Sequence, residues 1–280
     1  MDCDVAHLRL LGPVEIVHDR YVENIRLRGV RAMLVALCLQ AGSTTRVRQL
    51  VEQLWADPPA SADRNLRTYA TVLRRTLDRS CHCLRDTLRT RRSQCGDGTG
   101  GYSLAIRRDR CDVFRFRNAV QQARSCVRAG SIDEAVTAFD TALGMWRGDA
   151  GEDLPPVGFA LSVAISALNA ERESAIEERA RLLLVRGEAW AVAEQMEDHV
   201  ARNPLRERPW QLLMLSQYFS GHVSDALRTY QKLRTIFARD LGVDPGLQLD
   251  RIHVAILRRE DDYLRDLLSV PRTTVRAADG

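Results

Sequence analysis

The sequence predicts a mainly α fold with a small β component, and three observations predict it. Period-two alternation of apolar residues occurs only in short stretches within the first 110 residues. A helical period, with apolar residues three and four apart, governs nearly everything else. From Asp112 onward, three glycine-centred junctions repeat one spacing. The chain has 280 residues, of which 45% are hydrophobic and 28% charged, enough for about two domains with buried cores. The expected organisation is a strand-containing domain over residues 1–110, an all-α domain over 111–262 and a partly disordered tail over 263–280, the disorder beginning after Pro271.

Leu8, Leu10, Val14 and Ile16 alternate with charged or small residues around Gly12-Pro13, the pattern of two short strands and a turn, and Ile25 and Leu27 supply a third strand. Val30, Met33, Leu34, Leu37 and Cys38 then follow one helix face, with Gly42 after the last turn. Thr44 or Thr45 is expected to cap a second helix with Val47, Leu50, Val51 and Leu54 inside and Trp55 closing it. Pro58 and Pro59 cannot lie inside a helix, so a rigid loop precedes a third helix of about four turns, with Ser61 as N-cap and Asp63 in the first turn. Leu66, Tyr69, Ala70, Leu73 and Leu77 share its inner face. Leu88 to Arg92, a glycine-rich turn from Cys95 to Gly101, and Tyr102 to Ile106 read as a hairpin. Three helices and a hairpin make an N-terminal winged helix-turn-helix, in which the third helix enters the major groove and the wing lies along the backbone or minor groove.

The outer face of the third helix carries Arg64, Arg67, Thr68, Thr71, Arg74 and Arg75. Arginine bridges guanine edges or phosphate bidentately, and threonine donates to phosphate or touches a thymine methyl, so this face has the chemistry of major-groove readout. The alternative is a plain solvated face. Arg89, Arg91 and Arg92 are placed as phosphate contacts on the hairpin. Charge supports a polyanion partner for the first half only: residues 1–110 hold 19 arginines against 12 acids, whereas the remainder holds 22 basic and 25 acidic residues. The glycine-rich turn is not read as a phosphate loop, because no lysine followed by serine or threonine stands beside it. Seven scattered cysteines without a secretory signal read as reduced thiols in a cytoplasm, and Cys81-His82-Cys83 with Cys95 lacks the spacing of structural zinc. The longest uncharged run, Leu154 to Ala170, holds two prolines and a glycine and is too short to span a bilayer. No catalytic group, metal site, cofactor or membrane contact is expected.

In the second half, Gly130, Gly187 and Gly221 are each preceded by an apolar or aromatic residue at −3 (Val127, Leu184, Tyr218). Each is followed by a small or branched residue at +5 and a bulky one at +9. The last two glycines are 34 residues apart, the tetratricopeptide period, in which helix pairs bury their apolar faces only by stacking. Further helices are expected over Gly158 to Arg186, broken in part, and Gly246 to Arg259. Trp146, Trp190, Trp210, Tyr218 and Tyr230 read as core, and Glu171, Glu173, Glu177 and Glu178 as a solvated helix face.

Several blocks in order resemble one family. They are Leu10-Leu11-Gly12-Pro13-Val14-Glu15, Leu54-Trp55-Ala56-Asp57-Pro58-Pro59, Leu73-Arg74-Arg75-Thr76-Leu77 and Gly101-Tyr102-Ser103-Leu104 in the first half. The second half adds Ala142 to Gly148, Asn203 to Glu207, Gln211 to Met214, Asp225 to Tyr230 and Leu241 to Gly246. Together, over about residues 8 to 260, the chain resembles the Streptomyces antibiotic regulatory proteins, which join an OmpR-type winged helix to a bacterial transcriptional activation domain of tetratricopeptide-like helices. The resemblance implies an activator of secondary-metabolite genes that binds tandem direct repeats in double-stranded promoter DNA overlapping the −35 region, two protomers side by side, and recruits RNA polymerase holoenzyme. It places the loop from Trp55 to Ala60, with Asp57, Pro58 and Pro59, near the sigma factor, and core polymerase subunits as further partners. Val72 departs from the family pattern, which more often has a basic residue there. The nucleotide-binding, sensor and receiver domains of larger members are not expected, which leaves expression level, a small ligand or a partner as the means of regulation. The competing readings are a tetratricopeptide-type protein-interaction scaffold and a repressor that occludes its promoter.

Overall fold

The computed structural model describes residues 6–91 and 100–269. The fold is mainly helical with two three-stranded antiparallel sheets near the N-terminus. The first sheet has the order β1 (His7–Arg9), β2 (Glu15–His18), β3 (Tyr21–Asn24). Leu8 lies opposite Ile16, and both are fully buried, because directly opposed residues share a sheet face. The third strand precedes the position expected for it. Ile25 is buried just past its end, and Leu27 is the exposed N-cap of α1 (Arg28–Leu39).

Helix α1 buries eight of its residues, among them all five expected to line one face, so it forms the centre of the N-terminal core. Thr45 does not cap the second helix. It lies in the two-residue strand β4 (Thr45–Arg46), pairs with Tyr102 and donates its hydroxyl to Gln40 Oε1 at 2.7 Å. Arg46 instead stands at the N-cap of α2 (Val47–Leu54), whose Leu50 and Leu54 are buried. Helix α3 (Ala62–Ser80) runs 19 residues, longer than expected, with Ser61 as N-cap and Asp63 in the first turn. The second sheet has the order β4, β6 (Gly101–Leu104), β5 (Leu88–Arg91), and β5 and β6 form the hairpin. Arg92, most of the glycine-rich turn, Cys95 and the tail after Ser269 lie outside the described residues.

The chain clusters into two compact units: Met1–Ala119 with Thr141–Arg172, and Val120–Asp140 with Glu173–Gly280. Helices α4 (Asp112–Ala129), α5 (Ile132–Leu143) and α6 (Phe159–Val185) each contribute to both. In the first unit, the turn at Gly12-Pro13 is held by groups distant in sequence. The Asp112 carboxylate accepts the Leu10 and Leu11 N–H groups at 2.9 and 3.0 Å. Arg147 donates to the Pro13 carbonyl and to Glu15, and Asp153 accepts from Arg31 at 2.7 Å and from the Val14 N–H. Burial raises the Asp112 carboxyl above its ordinary range, against the opposing pull of those N–H groups and of Arg147. Two of the sequence blocks, Leu10 to Glu15 and Trp146-Arg147-Gly148, thus meet in space. Trp146 is buried edge-on against Phe116.

In the second unit, α7 (Ala189–Arg202), α8 (Glu207–Phe219), α9 (Val223–Asp240), α10 (Leu247–Arg258) and α11 (Asp261–Asp266) succeed α6. Gly130, Gly187 and Gly221 all have φ between 82° and 86°, and the residue after each donates to a carbonyl five positions back. This is the Schellman termination, and its left-handed residue is why one glycine spacing recurs. Helix α6 is continuous over 27 residues, where a break was expected; it contains neither proline nor glycine. Side-chain expectations fail here too: Tyr218 is half-buried rather than core, its hydroxyl donating to Asp261 at the surface. Trp190 is 70% exposed rather than core. Glu177 is buried rather than solvated: Arg206 holds its carboxylate at 2.7 Å and His199 lies 3.6 Å away.

Candidate nucleic-acid interface

Helix α3 is oriented by what its inner face buries. Leu66, Ala70, Leu73 and Leu77 are at most 1% exposed, and each buried leucine contributes about 2 kcal/mol of apolar burial. Tyr69 lies over α1, where a Cβ on Gly29 would come within 2.4 Å of the ring, so glycine there is what lets the two helices approach. Trp55 stacks on Tyr69, with centroids 5.9 Å apart and planes 23° apart. Burial on one side fixes what faces outward. Arg64, Arg67, Thr68, Thr71, Arg74 and Arg75 are all exposed.

Hydrogen bonding separates these six. Thr68 and Thr71 donate their hydroxyls to the carbonyls of Arg64 and Arg67 one turn back, at 3.1 and 2.9 Å. Their donors are therefore used within the helix; an acceptor lone pair and the methyl remain for an incoming ligand. Arg74 leans the other way. Its guanidinium donates to the Leu88 carbonyl at 3.3 Å and to the Thr90 hydroxyl, which ties the helix to β5. No hydrogen bond or ion pair to any described residue engages the guanidiniums of Arg64, Arg67 or Arg75. Elsewhere on this helix and its flank the arginines are neutralised: Arg79 by Glu23 at 2.6 Å, and Arg85 by Asp78 at 2.7 Å.

In the hairpin, Leu88 pairs with Leu104 and Thr90 with Tyr102. Leu88, Leu104 and Tyr102 are buried, while Arg89 and Arg91 are exposed and alternate with them. Alternation puts both arginines on the face opposite Leu88 and Thr90. They therefore lie on the strand face opposite the Thr90 side chain that Arg74 of α3 holds, a division that the linear sequence does not contain. Between α2 and α3, Asp57, Pro58 and Pro59 are exposed and Trp55 is half-buried under its stack with Tyr69.

A surface of cationic forks on one helix, beside a two-stranded wing, can grip an acidic groove but offers no nucleophile or general base. Among the described residues, no group of His, Cys, Asp and Glu is arranged to hold a metal ion, and Cys81 and Cys83 form no disulfide. No described helix is long and apolar enough to cross a membrane. Sequence reasoning missed Asp112, Arg147 and Asp153 as the groups that seat the N-terminal turn. Only Arg147 carried a signal, since it falls in a block already singled out for resemblance.

Comparison with known proteins gives three results. The bacterial transcriptional activator domain family matches residues 111–257. The chain is similar to Regulatory protein DnrI of Streptomyces peucetius, with 30% identity over 270 residues, covering 94% of this chain and 96% of that protein. It is also similar to Transcriptional regulator RedD of Streptomyces coelicolor, with 33% identity over 267 residues, covering 91% and 71% respectively. Among solved structures, Mycobacterium tuberculosis EmbR in complex with a low-affinity phosphopeptide matches with a TM-score of 0.79 at 26% identity, over 94% of this chain and 69% of that one.

Proposed function

Because the chain belongs to the Streptomyces antibiotic regulatory protein family of transcriptional regulators, we propose that it activates a secondary-metabolite biosynthesis cluster by binding promoter DNA and recruiting RNA polymerase holoenzyme. Residues 1–110 form its winged-helix domain and 111–262 its activation domain, and it works in the cytoplasm. The observation that carries the reading is the exposed stripe of α3. Arg64, Arg67 and Arg75 stand without an acidic partner among the described residues, beside a wing whose Arg89 and Arg91 are equally unengaged. On the same helix and its flank, Arg79 and Arg85 each have a carboxylate partner. A row left without partners suits a polyanion that supplies its own negative charge.

On this reading two protomers bind tandem direct repeats overlapping the −35 region, side by side, and the loop of Trp55, Asp57, Pro58 and Pro59 faces the sigma factor. The mechanism requires no chemistry: each tenfold gain in polymerase occupancy corresponds to about 1.4 kcal/mol of added contact. The test is a gel-shift titration on the upstream regions of the neighbouring genes, with and without holoenzyme. The expected result is a salt-sensitive shift that polymerase strengthens. A shift that polymerase competes away makes the protein an occluding repressor. Absence of any specific shift overturns DNA binding and leaves an interaction scaffold.

A further inference from the structure

The longest uncharged run in the chain, Leu154 to Ala170, forms the first half of α6 and the connection into it. One side of that half is anchored. Leu161 and Leu168 are 2% exposed, and the Asn169 amide exchanges two hydrogen bonds with the backbone of Ala150. The other side is open: Phe159 is 84% and Val163 49% exposed, and Ala160, Ser166, Ala167 and Ala170 continue the strip. Solvent-facing helices ordinarily carry charge. This one carries none for twelve residues.

The strip is held beside the loop that follows α2. The Gly158 N–H donates to the Gln53 carbonyl at 2.9 Å, and a Cβ at Gly158 would lie 1.8 Å from the Glu52 carbonyl oxygen. The flanks carry both charges, with Asp57 and Glu152 the exposed carboxylates that have no basic partner among the described residues. Glu52 and Asp57 are exposed on the α2 side, and Asp149 and Glu152 on the connection that runs back along the helix. Arg48 is tied to Glu52, and Arg172 to Asp149 and the Trp146 ring. Twelve helical residues span about 18 Å, so the strip falls short of the roughly 800 Å² per partner that a stable dimer buries. Its length and width fit a single helix laid along it.

We infer that the exposed face of α6 around Phe159 and Val163 is a docking surface for a partner protein that presents an amphipathic helix with an apolar ridge flanked by basic residues. The inference deepens the activator reading, since it names the surface to which a component of the transcription machinery would bind. It is tested with the full chain and a synthetic amphipathic helix of about four turns, leucines at i, i+4 and i+7 with lysines on both flanks, against a twin with glutamates in place of lysines. By fluorescence anisotropy the lysine peptide should bind about tenfold tighter than its twin, and Phe159→Ser with Val163→Ser should weaken it about tenfold. Asp57→Lys should narrow the difference between the peptides. Equal binding of both peptides, no binding, or binding indifferent to the serine variant overturns the inference. So does sedimentation showing a dimer that the variant abolishes, because the occupant is then a second copy. In the promoter gel shift, the serine variant should keep its DNA affinity and lose the strengthening by holoenzyme. If the wild-type chain is strengthened and the variant equally so, this surface is not the one used, whereas a wild-type chain that polymerase never strengthens refutes the activator reading and leaves the peptide result to decide the surface.

Discussion

Removing single arginines from the N-terminal unit tests whether an acidic partner decides which of them grip DNA. Arg64, Arg67, Arg75, Arg89 and Arg91 are exposed and have no side-chain partner among the described residues. If each neutralises one phosphate, the salt dependence of binding has a log-log slope of about −4.5, at about 0.9 per phosphate. Raising salt fourfold then weakens binding about 500-fold. Arg67→Ala should bring the slope to about −3.6 if that side chain meets a phosphate. If it reads a base edge, the slope holds while affinity for the preferred site falls by about 1–3 kcal/mol relative to scrambled DNA. Arg79 is the control on the same helix. Its guanidinium lies 2.6 Å from Glu23, so Arg79→Ala should leave the slope unchanged. The assay is anisotropy of a labelled promoter duplex at several salt concentrations, with a scrambled duplex beside it. If Arg79→Ala lowers the slope as much as Arg67→Ala, or if Arg67→Ala changes neither slope nor specificity, the reasoning from missing partners is wrong.

Arg74→Ala should weaken DNA binding without altering the salt slope, because its guanidinium braces the wing through Leu88 and Thr90; a slope smaller by about one would place it on a phosphate instead. Gly29→Ala should destabilise the chain by about 1–3 kcal/mol in urea titration, since the new methyl displaces the Tyr69 ring, and adding Tyr69→Leu should recover part of the loss. Burial pushes the Glu177 carboxyl up, but the nearby His199 imidazole, 3.6 Å away, and the hydrogen bonds from Arg206 outweigh it and hold the group below its ordinary range. A depressed carboxyl stabilises the fold above its unfolded-state value of about 4.3, and the contribution disappears as pH falls through the lower folded value. Glu177→Gln should therefore destabilise at neutral pH by about 1–3 kcal/mol, and thermal melts at successively lower pH should show the gap closing only below about pH 4.

Element order and the inner faces of α1 and α3 were legible because each is a long stretch with a single period. Val30, Met33, Leu34 and Leu37 in the one helix, and Leu66, Leu73 and Leu77 in the other, are nearly fully buried as that period requires. What escaped was whatever depends on a neighbour. A strand of two residues has no period to detect, so Thr45 looked like a cap. Glu173, Glu177 and Glu178 look alike in sequence, yet only Glu177 faces the Arg206 that α6 cannot announce. Trp190 sits one residue from a buried alanine on a helix with a clear apolar face, and a rotation of 100° puts it in solvent. The candidate interface divides in the same way. Residue type marked all of its arginines equally, whereas the hydrogen bonds of the wing assign Arg74 to bracing and leave Arg67 without a partner among the described residues.

The seating of the N-terminal turn bears on how an activator of this build would work. Arg147 and Asp153 tie the connection before α6 to the strands and α1, Asp112 ties the start of α4 to the same turn, and Gly158 ties the connection to the end of α2. The uncharged face of α6 therefore belongs to the same compact unit as the arginine stripe of α3. A partner helix held on that face would be held at a fixed offset from bound DNA rather than on a loose tether. Fixed geometry matters because a tethered contact acts at an effective concentration in the millimolar range only when the linkage lets both sites be filled at once. At such a concentration a partner contact of only about 100 μM affinity raises occupancy about tenfold, which is the scale recruitment requires. Loosening the seat, for example by Arg147→Ala, should then reduce strengthening by polymerase while α3 still binds DNA, and an Arg147→Ala chain that polymerase strengthens as fully as the wild type would show that the seat has no part in recruitment.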